Sequence, residues 1–155
     1  MQEQFMAEAI RLSLENVKSG AGGPFAALVV RNGKIIGRGT NQVTRLNDPS
    51  AHAEVLAIRE ACRTINSFQL RGCEVYTTCE PCPMCLGVIY WARPDRVYYA
   101  NSAADAAAIG FDDSRIYQQI SVPHAERSIP MLQIMRDQAL SAFHAWQAKP
   151  DKVPY

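Results

Sequence analysis

The sequence has almost no net charge: sixteen Lys and Arg stand against fifteen Asp and Glu, leaving +1. Proteins that track a phosphate backbone carry a strong basic excess, so the composition speaks against nucleic acid as a partner. Long apolar runs are also missing. None approaches the ~18–20 residues of a membrane span. Glu3 and Glu8 come early, with no basic segment leading into an apolar one, so no secretory signal is expected. Cysteine is scarce and odd in number. Three of the five fall in Cys79-x-x-Cys82-x-x-Cys85, which suits metal chemistry in a reducing compartment better than a disulfide framework. Internal repeats, linkers and low-complexity stretches are absent as well. The expectation is a soluble, cytoplasmic protein, with residues 1–155 forming a single domain large enough for a real core.

Against this plain background two stretches stand out. Asp48-Pro49-Ser50-Ala51-His52-Ala53-Glu54 and Pro81-Cys82-Pro83-Met84-Cys85 together read H-x-E…P-C-x-x-C. One imidazole and two thiols make three metal donors with a free carboxylate alongside. Three protein donors and an open position are the arrangement of a catalytic zinc, where bound water becomes a nucleophile near neutral pH. Within a helix, His52 and Glu54 would point ~200° apart. At a helix N-terminus that objection weakens, because first-turn side chains converge beyond the helix end. Asp48-Pro49-Ser50 reads as such a start, and Val55, Leu56, Ile58 and Cys62 continue an amphipathic pattern. Cys82 and Cys85 share one face of a first turn, and Pro83 suits the first helical position. Both donor sets then lie where the helix dipole is positive, which favours thiolate.

H-A-E followed by E-P-C-P-M-C resembles the signature of the zinc-dependent cytidine-deaminase-like superfamily. Further segments are similar to the small bacterial guanine deaminases: Gly22 to Phe25, Asn47 to Glu54, Cys79 to Pro94 and Gly110 to Ser114. They extend over nearly the whole chain. The resemblance implies hydrolytic deamination of a free purine base, most simply guanine to xanthine and ammonia, with one zinc ion per chain. It also implies a homodimer with exchanged C-terminal segments.

The secondary-structure pattern is an amphipathic helix over 2–18, strands at 25–30 and 34–38 joined by Asn32-Gly33, and the His52 helix to about Ile65. A strand at 74–78, the cysteine helix to about Trp91 and a strand at 96–100 follow. Short helices are expected at 103–109 and 113–119, a fifth strand at 129–135, and a last helix at 137–147 before a proline-bearing tail. A hairpin followed by alternating strands and helices predicts an α/β fold, a three-layer α/β/α sandwich on a mixed five-stranded sheet. In such sheets ligands gather at strand ends, where the motif helices begin.

Each candidate residue has a plain reading beside its chemical one. His52 alone reads as a hydrogen-bonded structural histidine, and Glu54 as a solvated carboxylate at a helix start. The motif makes His52 a ligand and Glu54 the proton shuttle. Any two of Cys79, Cys82 and Cys85 have ligand spacing. The P-C-x-x-C match selects Cys82 and Cys85, leaving Cys79 as a strand-end residue. With Cys79 as a fourth ligand the site would be closed, and the chain would be a structural zinc module that binds a partner. Glu80 reads as a group satisfying backbone donors, and Cys62 and Cys73 as core residues. Asn41 is either a turn residue or, as the resemblance implies, the amide that both donates to and accepts from a base edge. Phe25 is core or a stacking wall, and Trp91 is helix packing or a similar wall. Asp113 is a helix cap or, by resemblance, a second carboxylate that assists the exocyclic amine. Tyr155 ends the tail of the exchanged segment 137–155 and would cover a partner's site. Deamination of another amino-heterocycle, such as cytosine, a nucleoside or tRNA adenosine, is the alternative within enzymes.

Overall fold

Asn32 and Gly33 take φ values of 51° and 72°. Two consecutive positive φ values are what a two-residue type I′ turn requires, and they close the hairpin between β1 (Ala26–Arg31) and β2 (Lys34–Thr40). The computed structural model describes all of Met1–Tyr155, in two compact units, Met1–Asp113 and Ser114–Tyr155.

The first unit contains the whole sheet. Its strand order is β2-β1-β3-β4, with β3 at Cys73–Cys79 and β4 at Arg96–Asn101. β1 is antiparallel to β2 and β3, whereas β3 and β4 run parallel through the crossover helix α4 (Pro83–Ala92). Alternation along the strands assigns the two faces. Leu28, Val30 and Tyr76 face α1 (Gln2–Lys18), meeting Ala9 with Phe5, Met6 and Leu12 around it. Ala27, Val29, Cys73 and Val75 face the other way, under α3 (Ala53–Thr64) and α4. Helices therefore cover both faces of the sheet, as the alternating pattern predicts. A one-turn helix α2 (Val43–Leu46) leads toward α3, and α5 (Ala103–Ala108) follows β4.

The placement of α3 depends on small residues. Ala53, Ala57 and Ala61 are fully buried, and opposite them β2 offers Gly37 and Gly39. A Cβ on Gly39 would lie 2.1 Å from the Ala53 carbonyl oxygen, and one on Gly37 2.3 Å from that of Ala57. The helix backbone thus rests directly on the strand, and this contact fixes where the first turn of α3 ends up.

The second unit holds α6 (Ser114–Ser121), a 3-10 turn at His124–Glu126 and α7 (Arg136–Ala148). No residue of these three elements is buried. The sheet has four strands, so the expected five-stranded sheet is corrected, and 129–135 is irregular chain. Pro130 brings no ladder donor, and Met135 turns to φ 53° just before α7. The apolar character that suggested a strand is real but uncovered, with Ile129 and Leu132 76% and 86% exposed. No helix is long and apolar enough to cross a membrane.

The α3–β2 contact yields a test away from the chemistry. Gly39→Ala forces backbone apart, and overpacking of this kind costs about 1–3 kcal/mol. A lowered melting temperature together with reduced zinc content is expected, because the displaced element carries His52. Thermal denaturation and metal analysis of the purified variant check it.

Candidate metal centre

α3 and α4 begin at the same end of the sheet. His52 is the N-cap of α3, in extended conformation (φ −72°, ψ 154°), and Cys82 is the N-cap of α4 (φ −64°, ψ 167°) with Pro83 next. Their carbonyls accept the first helical bonds, from Leu56 at 3.1 Å and Leu86 at 2.8 Å. The helix therefore starts later than Asp48-Pro49-Ser50 suggests. Asp48 instead forms a local turn, its carboxylate accepting from the Ser50 amide at 2.8 Å and hydroxyl at 2.7 Å. That shift resolves the spacing problem. His52 lies outside the helical screw and Glu54 inside its first turn, so residues two apart reach one region.

His52, Cys82 and Cys85 each offer a donor atom, and the three lie within 4.8 Å of one another. His52 Nδ1 is 3.5 Å from Cys82 Sγ and 3.5 Å from Cys85 Sγ. Zn–N and Zn–S bonds of ~2.0 and ~2.3 Å at tetrahedral angles give an N···S edge of ~3.6 Å, so the donor set fits zinc. The cluster also has the electrostatics of a metal site. Hydrogen bonds from the Cys85 thiol and then from His52 hold the Cys82 thiol down at about 4. The bond to Cys82 raises His52 above its ordinary value.

Cys79 is not brought in. Its thiol donates to the Ser102 carbonyl at 3.7 Å, and burial pushes it up to about 11. The site is thus left with three donors, and the closed site of a structural zinc module lacks its fourth. Cys73 is buried and Cys62 half-buried in or against the core, as expected. Glu80 caps backbone, but at α5 rather than at the cysteine helix, accepting from the Ala103 amide at 3.0 Å.

Glu54 is 6% exposed and lies against the cluster. Its Oε1 accepts from the Thr77 hydroxyl at 2.9 Å, and its Oε2 from the Cys85 thiol at 3.4 Å. Burial raises its pKa, the direction a carboxyl needs to carry protons near neutrality. Asp113 is half-buried and also raised, first by burial and then by the Cys82 charge. Asn41 is buried, with Oδ1 accepting from the Gly23 amide at 3.4 Å and the Val43 amide at 3.3 Å. Asn16 of α1 ties this corner together, its amide donating to the Gly23 and Asn41 carbonyls at 2.9 Å each. Gly22 is required here, since a Cβ would lie 2.0 Å from the Asn41 oxygen.

Phe25 is edge-on to Phe111, with ring centres 4.9 Å apart and planes at 89°. This contact joins the Gly22–Phe25 loop to the segment carrying Asp113. Trp91 is 62% exposed, nine residues along α4 from Cys82 and hence some ~13 Å down the axis. Within one chain α4 carries it away from the cluster. Tyr155 is 71% exposed in the second unit. Sequence reasoning missed Asn16, Thr77 and Phe111. Thr77 had a readable signal, because the alternation Cys73, Val75, Thr77 puts a hydroxyl on the buried face of β3.

Comparison with known proteins agrees with this geometry. The profile of the cytidine and deoxycytidylate deaminase zinc-binding region matches residues 1–101. Guanine deaminase of Bacillus subtilis (strain 168) is 52% identical over 153 residues, 99% of this chain and 98% of that protein. The X-ray structure of Bacillus subtilis guanine deaminase superimposes with a TM-score of 0.96, at 52% identity over 99% and 98% of the two chains. A tRNA-specific adenosine deaminase of Aquifex aeolicus (strain VF5) is 41% identical, over 64% of this chain and 65% of its own.

Alanine at Cys82 or Cys85 is expected to empty the metal site, whereas Cys79→Ala keeps zinc. Metal analysis of the three purified variants decides which cysteines are ligands.

Proposed function

We propose that this chain, which belongs to the cytidine and deoxycytidylate deaminase zinc-binding family, hydrolyses guanine to xanthine and ammonia. The observation that carries the substrate is the reach of the likeness. Guanine deaminase is similar over 99% of the chain, whereas the tRNA adenosine deaminase is similar over 64%. The near-neutral charge favours a free base over a polyanion in the same direction.

His52, Cys82 and Cys85 would hold the zinc. Bound there, zinc lowers the pKa of a water and so supplies the nucleophile. Two thiolate ligands offset the metal's charge and temper that effect, which puts the burden on a nearby base. Glu54 meets it. It takes a proton from the attacking water and delivers it to the ring nitrogen beside the amine-bearing carbon. Glu54 then takes the proton of the newly added hydroxyl, a proton from Glu54 or Asp113 passes to the amine, and the C–N bond breaks to release ammonia as the carbonyl forms. Burial of Glu54 supports this role, since a carboxyl with a raised pKa both accepts and returns a proton. Asp113 follows Phe111, whose ring meets Phe25, which supports placing it beside the reacting amine. Asn41 holds the base edge. Its Oδ1 is committed to two backbone amides, while its NH2 makes no hydrogen bond within the chain. Phe25, backed by Phe111, packs on the ring.

The working unit is a homodimer, in a reducing cytoplasm that keeps the ligand thiols free. Phe143, Trp146, Val153 and Tyr155 all stand exposed on α7 and the tail, which supports an exchange of residues 137–155 between copies. Tyr155 then covers the partner's base and excludes water from the reaction. Trp91 is exposed at the far end of α4 and is open to a second copy in the same way.

Ammonia release from guanine, adenine, cytosine and their nucleosides tests the substrate, with guanine expected to be turned over fastest. Ammonia from none of them would overturn the reading. Glu54→Gln should keep zinc and fold while turnover falls by ~10²–10⁴-fold or more. Deleting Val153 to Tyr155 should raise KM or lower kcat at unchanged zinc content, with light scattering reporting the dimer. A truncated enzyme equal to the full chain would leave the tail without a role in catalysis.

A further inference from the structure

We infer that Thr77 is a positioning residue that dedicates one oxygen of Glu54 to structure and leaves the other for proton transfer. The inference rests on the role of Glu54 in deamination and does not depend on which base is the substrate. Thr77 lies in the middle of β3, paired with Ala27 on one side and Tyr99 on the other. It is 1% exposed, so no water competes for its hydroxyl. That hydroxyl donates to Glu54 Oε1 at 2.9 Å. Oε2 faces the metal donors instead, 3.4 Å from Cys85 Sγ. The two oxygens of one carboxylate therefore have different surroundings. Oε1 is tied to the rigid central strand, and Oε2 is turned toward the cluster.

Glu54 has three side-chain torsions, and a free carboxylate at a helix start would sample several of them. Proton shuttling needs one oxygen kept within hydrogen-bond reach of both the water and the ring nitrogen. A single bond from the sheet achieves this, because it pins the end of the side chain without occupying the working oxygen. The bond survives both halves of the cycle. The hydroxyl donates to Oε1 when the carboxylate is ionised, and still does so when the proton sits on Oε2. Were the proton on Oε1, that oxygen would become a donor, and the Thr77 hydroxyl would have to turn and accept from it. Thr77 thus selects the oxygen that carries the proton as well as its position.

The test uses zinc-loaded enzyme and whichever of the bases and nucleosides above it hydrolyses, so a wrong substrate assignment does not affect it. Thr77→Val removes the hydroxyl at almost unchanged shape. Loss of a hydrogen bond to a charged group predicts a fall in kcat of about 10- to 100-fold, with KM and zinc content near the parent values. Thr77→Ser keeps the donor and should recover kcat to within about 5-fold of the parent. In a Glu54→Ala background Thr77→Val should cost nothing further, because the group it acts through is gone. A crystal structure of Thr77→Val should show the Glu54 carboxylate displaced from its place beside Cys85. Parental kcat in Thr77→Val, an equal loss with and without Glu54, or an unmoved carboxylate would each overturn the inference.

Discussion

The structure depends on bringing two helix N-termini to one point. The Cys82 thiolate, the Glu54 carboxyl and a second acid nearby, with the Cys85 thiolate added once a metal binds, concentrate negative charge in a buried corner. An isolated ion in such a place is strongly disfavoured. The positive ends of α3 and α4, with His52 and Cys82 as their N-caps, offset that charge before any metal arrives. The metal completes the balance. Everything that fixes the two helices, from the glycines of β2 under α3 to the parallel crossover through α4, therefore also fixes the donor geometry.

The sheet contributes more than a platform. β3 supplies Cys79 at its end, Thr78 to hold the start of β1 through a 3.0 Å bond to the Ala26 amide, and Thr77 to hold Glu54. Three successive residues thus point to three separate tasks, one a thiol kept out of the site and two hydroxyls directed to opposite neighbours. On the far side, Asn16 extends from α1 to join the Gly23 loop to Asn41. The Asn41 corner is thereby tied to one layer of the sandwich and the metal corner to the other.

Much of this was legible in the sequence. Helix α1 runs over the residues its periodicity indicated, and Asn32-Gly33 closes the hairpin, because both signals are local. The metal donors were legible because the P-C-x-x-C match chose Cys82 and Cys85 where spacing alone left any two of three cysteines open, and those two thiols do lie beside His52. What failed was non-local. The apolar run at 129–135 carried no information on what covers it, so it read as a strand and is irregular exposed chain. Asp48-Pro49-Ser50 looked like a helix start, since local sequence does not separate a helix start from a turn that ends short of one. Asn16 and Phe111 needed contacts across the fold to be seen at all.

The division of labour along the chain bears on how such sites choose substrates. The zinc-binding region ends at residue 101, and it contains the ligands, Glu54 and Thr77. On the proposed mechanism these groups handle water, protons and a leaving amine, which are common to any amino-heterocycle. Discrimination between bases requires groups that meet the ring's other edges, because a site rejects a wrong base mainly by leaving its own polar groups unpaired. Asn41, proposed as one such group, lies within that region of residues 1–101. Phe111 and Asp113 lie beyond it, attached through the Phe25–Phe111 contact to the loop that borders Asn41. On the proposed mechanism, substrate choice can therefore change in the segment after residue 101 while the reaction chemistry stays with the geometry of the two helix ends.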